Sequence, residues 1–382
     1  MNFDFSEEQN MLKDSVARFV QDHYDAHSRR ELVASEQGFD RGNWQMFAEL
    51  GWLSIPFDES VGGFGGDAID TMVVMQELGK GLVVEPFVAT VLLFGGLIQK
   101  AGNTTQQENW LSRVIAGEVQ GAFAFLERHS RFELADISTA ATASGDGFVL
   151  NGEKTVVFNG LAADALVVSA RTAGEAGAED GISLLLVDAT APGVERSGYR
   201  LMDGQLVANV RFDHVELAAD ALLGERDQGY APMQAVVDNV TLALCAEALG
   251  IMEKLNSTTV EYTRTREQFG VAIASFQALQ HRMVDTFMAC EQTRSLLYRA
   301  VCSAKNSADD DSVESQRNLH ALKVMVDRAG KLVGDEALQL HGGIGMTDEL
   351  EVGHYVKRLM TIRTIFGNGD YHQAKFNQLS YA

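Results

Sequence analysis

The hydrophobic rhythm of the chain changes twice, and the two changes divide it into three parts. In the first 120 residues apolar positions recur at helical spacing. Met11, Leu12, Val16, Phe19 and Val20 form one stripe, entered through Ser6 and Gln9, which have the spacing of a capping box. Trp44, Phe47, Leu50 and Leu53 form a second stripe, and helix is predicted again over 69–78. Between them Gly62, Gly63, Gly65 and Gly66 crowd the segment 59–66, which permits either a tight crossing between helices or a cradle for a ligand. After Pro86 the stretch 87–101 is almost wholly apolar and reads as a segment buried between neighbours.

Near Gly121 the period shortens. Runs rich in β-branched and aromatic residues occupy 147–152, 155–158, 165–169, 182–187 and 207–212, with turn pairs such as Asn159-Gly160 between them. The connections are too short for crossover helices, so the spacing predicts an antiparallel sheet. Beyond Pro232 there is no proline, and helices are predicted at about 232–265, 275–306, 311–340 and 348–365. A loop at 307–311 and an Asp311/Glu314 capping box separate the second from the third. Four long antiparallel helices make a bundle with more apolar surface than it needs internally, which predicts self-association. The expected class is therefore α+β: a helical N-terminal domain (1–120), a middle antiparallel β domain (121–228) and a C-terminal four-helix bundle (229–382).

Composition narrows the choice of partner. Lys and Arg number 31 against 53 Asp and Glu, a formal charge of −22. Such a surface repels nucleic acid and anionic lipid, so the few cationic clusters become candidate anion sites. Cys245, Cys290 and Cys302 sit in apolar helical contexts without C-x-x-C spacing, as buried thiols of a reducing compartment do. The start lacks a basic region followed by an apolar run, and no apolar stretch reaches a membrane span before glycine or charge interrupts it, so a soluble cytoplasmic protein is expected.

Two stretches hold candidate chemistry. In 261–277 Arg264 and Arg266 stand at a helix end beside Phe269-Gly270, and a planar guanidinium beside a glycine turn suits a phosphate or pyrophosphate. The same arginines could instead pair with Glu261 and Glu267. In 338–347 the glycines Gly342, Gly343 and Gly345 stop a helix and expose backbone N–H groups, with Gln339 and His341 able to hydrogen-bond a ligand. Close helix packing is the alternative.

These motifs give the chain its resemblance. Arg266-x-x-Phe269-Gly270 with Gln277 beyond it, Gln339-x-x-Gly342-Gly343-x-Gly345, Glu59-x-x-Gly62-Gly63-x-Gly65, and Asn151-Gly152-x-Lys154 before Asn159-Gly160 resemble, in this order and at these distances, the acyl-CoA dehydrogenase family over essentially the whole length. The resemblance implies FAD bound at a subunit interface, with Arg266, Phe269, Gln277, Gln339, Gly342 and Gly343 at the positions that hold the adenosine diphosphate side. It implies α,β-dehydrogenation of an acyl-CoA thioester, a carboxylate taking the α proton, and an electron-transferring flavoprotein as acceptor.

The sequence departs from the family at the chemistry itself. The family's base is a glutamate in a Tyr-Glu-Gly-Thr segment; the matching stretch here is 365–372, with Gly367 in the glutamate's place. Some relatives carry the base on the first bundle helix, where this chain has Val240, followed by Thr241 in place of an arginine. The nearest carboxylates are Asp370, on a loop that Gly369 would leave mobile, and Asp238. Leu126, Val156 and Phe158 replace the groups that face the flavin ring, and a hydrocarbon cannot donate to its heteroatoms. Together these changes point to a base-lacking subunit of a heteromeric acyl-CoA dehydrogenase, partnered by a homologous chain. A self-sufficient homomer with Asp370 as displaced base, and a non-enzymatic flavin- or CoA-binding protein, are the alternatives.

Overall fold

The computed structural model describes residues 5–306 and 312–381, so the expected loop at 307–311 and the Asp311 half of its capping box lie outside the described residues. The helices are α1 (Glu7–His23), α2 (Ala26–Ala34), α3 (Arg41–Glu49), α4 (Ala68–Gly81), a π-helical stretch Phe87–Gly95 that runs into α5 (Gly96–Ala101), and α6 (Thr104–Ile115). The sheet follows: β1 (Gly121–Ala124), β2 (Ala140–Ser144), β3 (Gly147–Phe158), β4 (Ala165–Arg171), β5 (Ile182–Asp188), β6 (Val194–Arg200), β7 (Leu206–Leu217) and β8 (Leu222–Leu223). Then come α7 (Tyr230–Thr265), the small hairpin β9 (Glu267–Gln268) and β10 (Val271–Ala272), α8 (Gln277–Asn306), α9 (Ser312–His341), α10 (Val352–Ile362) and α11 (Gly369–Tyr381). These form two compact units, one of Met1–Glu31, Asp67–Val83 and Thr241–Ala382, the other of Leu32–Gly66 and Val84–Val240.

The first unit is helical. Its entry is the capping box read from the sequence: Ser6 accepts from the Gln9 backbone, and the Gln9 side chain accepts from the Ser6 backbone. Leu319, Leu322, Val326, Ala329, Val333, Ala337 and Leu340 line the buried side of α9, the helix against which α8, α10 and α11 pack. Between α7 and α10 a buried Glu247 accepts from Arg358 Nε at 2.6 Å and Nη2 at 2.8 Å, so each charge desolvated by packing meets its counterion. Among the described residues the C-terminal part holds five α-helices rather than the expected four. Asn368 accepts from the Tyr371 amide at 3.0 Å and starts α11 as an N-cap, so the segment around Asp370 is helix and not a mobile loop.

The second unit carries the sheet, in the order β6-β7-β3-β2-β4-β5-β8, with β1 beside β4. Most neighbours are antiparallel, but β1 runs parallel to β4, from Gly121 opposite Ala165 to Ala124 opposite Val168. The expectation of a wholly antiparallel sheet fails there because short connections constrain only consecutive strands, and β2 and β3 intervene. The runs at 147–152 and 155–158 are one strand, since β7 pairs with both and its register shifts at two bulges, between Leu150 and Gly152 and between Lys154 and Val157. The edge strand β6 was not legible because its sequence, VERSGYR, is largely polar and exposed. Among the glycines of 59–66, Gly63 reveals the purpose: a Cβ there would lie 2.0 Å from the Phe57 carbonyl oxygen, so two backbones touch.

α7 includes a window long and apolar enough to cross a membrane, yet 83% of that window is buried inside the protein, as in a core helix.

At the heart of the sheet unit Lys154, 0% exposed, donates to Glu127 Oε1 at 2.8 Å, to Ser169 Oγ at 3.2 Å and to the Phe125 carbonyl at 3.2 Å. Glu127 also accepts from the amides of Ser138 and Thr139, each at 3.0 Å. Burial works to raise the Glu127 carboxyl, but the lysine charge and these donors outweigh it and hold it well below the usual range. Lys154→Met is expected to strand a buried carboxylate and destabilise the chain by about 3–5 kcal/mol. A chemical denaturation midpoint unchanged from the parent would refute this.

Candidate active site

The two glycine motifs meet in the helical unit. Arg266 follows the last turn of α7, and the chain then turns back through β9 and β10. Phe269 (φ 58°) and Gly270 (φ 78°) are the two residues between the paired strands, both left-handed, which is the requirement of a two-residue hairpin turn. The expected helix end at Phe269-Gly270 is therefore a hairpin, and the helix stops at Thr265. Gly342, also left-handed at φ 64°, ends α9. The join is Tyr262: its hydroxyl donates to the His341 carbonyl at 3.3 Å, and the two rings stack at 4.4 Å. His341 is thus 3% exposed, with Nδ1 2.8 Å from the Ala337 carbonyl, so for this residue the alternative of close helix packing is the one observed. Tyr262 was missed; its only signal is its place one turn before Arg266.

Around this join the remaining groups are exposed. Arg266, Gln277 and Gln339 face solvent, and Phe269 is 92% exposed. The Arg266 guanidinium has no ion-pair or hydrogen-bond partner among the described residues, and a Cβ added at Gly270, Gly342 or Gly343 would meet nothing within 4 Å. A free guanidinium beside open backbone, in a chain of net charge −22, has the chemistry to hold a diphosphate.

A second group of residues surrounds Gly367 in the same unit. Ile365 and Phe366 direct carbonyls at buried groups: Lys323 Nζ lies 2.9 Å from the first and His372 Nε2 3.1 Å from the second. His372 Nδ1 lies 2.9 Å from His320 Nδ1. Burial pushes His320 down to about 4 and His372 down to about 3, with nearby lysine charge acting in the same direction. Lys323 went unnoticed in the sequence, although a lysine among Leu319, Leu322 and Val326 on the apolar side of α9 was the available signal.

Three family descriptions match the chain in order: "Acyl-CoA dehydrogenase, N-terminal domain" over residues 6–118, the middle domain over 122–215 and the C-terminal domain over 227–376. The short-chain specific acyl-CoA dehydrogenase of Megasphaera elsdenii is 30% identical across 81% of each chain. The chain belongs to the acyl-CoA dehydrogenase family. Among solved structures, butyryl-CoA dehydrogenase from Megasphaera elsdenii superposes with a TM-score of 0.91 at 25% identity, covering 100% of both chains. A chain of the ChsE4–ChsE5 complex from Mycobacterium tuberculosis does so at 0.89 and 26%, again over 100% of both.

FAD is the cofactor of this family of oxidoreductases. The exposed Arg266 and the open backbone at Gly342 have the chemistry of its diphosphate side; in the sheet unit the side chains of Leu126, Val156 and Phe158 are hydrocarbon. Val156 sits at the β3 bulge with φ 52°, a strained conformation for a β-branched residue, and the adjacent Thr155 amide donates to the Leu126 carbonyl at 2.8 Å. The carboxylates differ sharply. Asp370 is exposed in the first turn of α11, where a negative charge favours the helix dipole. Asp238 on α7 is partly buried, accepts from Gln234 Nε2 at 2.8 Å, and burial pushes it up to about 6. Val240 and Thr241 are buried and carry no carboxylate.

Arg266→Ala is expected to weaken FAD retention by about 1.5–3 kcal/mol, the worth of a charge-assisted hydrogen bond, or one to two decades in Kd. Equilibrium dialysis showing unchanged affinity with an intact oligomer would contradict it. The histidine pair sets an acid limit. Each ring is neutral when folded but protonates near 6.5 when unfolded, so stability present above that pH is lost as pH falls toward 4, by up to about 1.4 kcal/mol per pH unit for each ring. Thermal melts at pH 7, 6 and 5 should show this slope, and His320→Gln should reduce it while leaving the part due to His372.

Proposed function

We propose that this chain takes part in the α,β-dehydrogenation of an acyl-CoA thioester as one subunit of a heteromeric enzyme, holding the adenosine diphosphate side of FAD and leaving proton abstraction to a homologous partner chain. The observation that carries this reading is the turn at Gly367. The place where the resemblance puts the family's base holds a glycine in a left-handed conformation, φ 119°, with His372 and Tyr371 packed against it.

FAD, when bound, supplies the acceptor for the hydride that leaves the β carbon. Arg266 would pair with the diphosphate, the backbone at Gly342 and Gly343 would face its remaining oxygens, and Phe269, Gln277 and Gln339 would cover the adenosine end. The α proton needs a carboxylate in a dry site, where its affinity for a proton rises. Asp370, in water at a helix start, lacks that environment.

A partner is supported by the surface of the helical unit. Val284, Phe287 and Met288 are exposed large apolar side chains at i, i+3 and i+4 on α8, and Phe269, Val271 and Phe276, in and just after the hairpin next to Arg266, are exposed as well. The similarity to a chain of a two-component complex supports a homologous chain as occupant. An electron-transferring flavoprotein would take the electrons onward. The second reading, a self-sufficient homomer, is favoured by one observation, the raised Asp238 carboxyl.

Turnover of a panel of acyl-CoA esters separates the readings. The purified chain alone should bind much less than one flavin per chain and turn over slowly, with activity appearing in the complex with a co-purifying homologous chain and surviving both Asp370→Asn and Asp238→Asn. Robust activity of the chain alone that drops by about 10²–10⁴-fold in either variant would identify that aspartate as the base and overturn the heteromeric reading.

A further inference from the structure

The closure at Gly367 is built from interactions on two helices, not merely left by the loss of a carboxylate. Lys323 on α9, fully buried, donates to the Ile362 carbonyl at 2.5 Å and to the Ile365 carbonyl at 2.9 Å. Farther along α9, Asp327 accepts from Arg363 Nε at 2.8 Å, and its Oδ2 would stand 2.7 Å from any Cβ at position 369. From α11, His372 reaches the Phe366 carbonyl. The entry to the turn is thereby drawn onto α9, and α11 holds its carbonyl at Phe366. A Cβ at position 367 would fall 2.5 Å from Tyr371 Cδ1 and 2.7 Å from His372 Nε2, closer than atoms in contact can stand.

Hydrogen-bond chemistry sets the direction of this network. The Phe366 carbonyl only accepts, so His372 carries its proton on Nε2. Its Nδ1 is then an acceptor, and His320 Nδ1 must donate to it across 2.9 Å. The charged and titratable groups near the pair are Lys323 on α9 with Lys375 and Tyr371 on α11. The lysines add to burial in keeping both rings neutral. The result is a one-way chain, His320 to His372 to Phe366, that ends on the backbone atom next to Gly367.

We propose that His372 and Lys323 are positioning residues that lock the 365–367 turn as a wall of backbone, with the His372 ring occupying the volume a side chain at 367 would need. The proposal rests on the heteromeric reading and deepens it. Division of labour is built into the packing of this chain, and a glutamate placed at position 367 does not restore a base.

The test uses the full-length chain. Gly367→Ala should lower the melting temperature by about 5 °C or more. The double variant Gly367→Ala/His372→Ala should lose less than the sum of the two single losses, because removing the ring relieves the overlap. His372→Gln, which retains an N–H donor, should melt nearer the parent than His372→Leu. Imidazole ¹⁵N–¹H spectra should show a slowly exchanging Nε2 proton that His372→Gln removes, and this signature decides the matter if the Gly367 variants do not fold. Gly367→Glu alone should gain no turnover of butyryl-CoA over the parent. A Gly367→Ala melt within about 1 °C of the parent, strictly additive losses, absence of the Nε2 proton, or turnover gained by Gly367→Glu would each overturn the proposal. Turnover gained by Gly367→Glu over an inactive parent would leave the heteromeric reading standing. Turnover by the parent alone would sink that reading while the melting coupling still reported on the wall.

Discussion

Charge taken out of water must be met by charge or by dipoles, and three of the places where this protein does so show how the interior is held. In the sheet unit Lys154 and Glu127 answer one another, with Ser138, Thr139, Ser169 and the Phe125 carbonyl satisfying what remains. In the helical unit Arg358 and Glu247 form a bidentate pair. Among the described residues Lys323 has no carboxylate within bonding distance and is met by two carbonyls instead. Each solution fixes backbone as well as side chains. Glu127 pins the segment leaving β1 against the one entering β2, and Lys323 gathers the end of α10. A pair of this kind adds little net stability compared with a hydrocarbon core, yet breaking it costs several kcal/mol, so it acts as a constraint on which backbone is allowed.

The electrostatics of the surface run the other way. With 22 more acidic than basic residues, most surface arginines are occupied, as Arg282 is by Glu336 and Arg299 by Glu314. Arg266 is one of those whose guanidinium has no partner among the described residues. It directly follows α7, whose end the Tyr262 and His341 stack ties to the glycine end of α9. A cation kept without a counterion in so acidic a chain is affordable only where water, or an anion, reaches it.

At Gly367 the family fold closes tightly around a position without a side chain. Removing a carboxylate would leave a hole, and holes in packed proteins are costly. Here Tyr371 and His372 come within 2.5–3.0 Å of where a Cβ would stand, so the space is filled by neighbouring rings. Filling it this way needs a residue at 367 that tolerates φ 119°, which only glycine does without strain.

By itself the sequence determined the class of fold, the order of its parts and the motifs of its family. Helical stripes such as Met11 to Val20, the Ser6 box and the glycine clusters are local signals, and local signals survive in one dimension. It also showed a glycine, Gly367, where the resemblance puts the family's glutamate. Tertiary structure decided what depends on neighbours distant in the chain. The parallel pairing of β1 with β4 was invisible because two strands lie between them. The fusion of 147–158 into one strand depended on β7. The inward turn of His341 depended on Tyr262, 79 residues earlier. Whether Asp370 or Asp238 has the drier environment is a matter of burial, and a carboxylate's environment is set by the residues folded around it, which no spacing along the chain records.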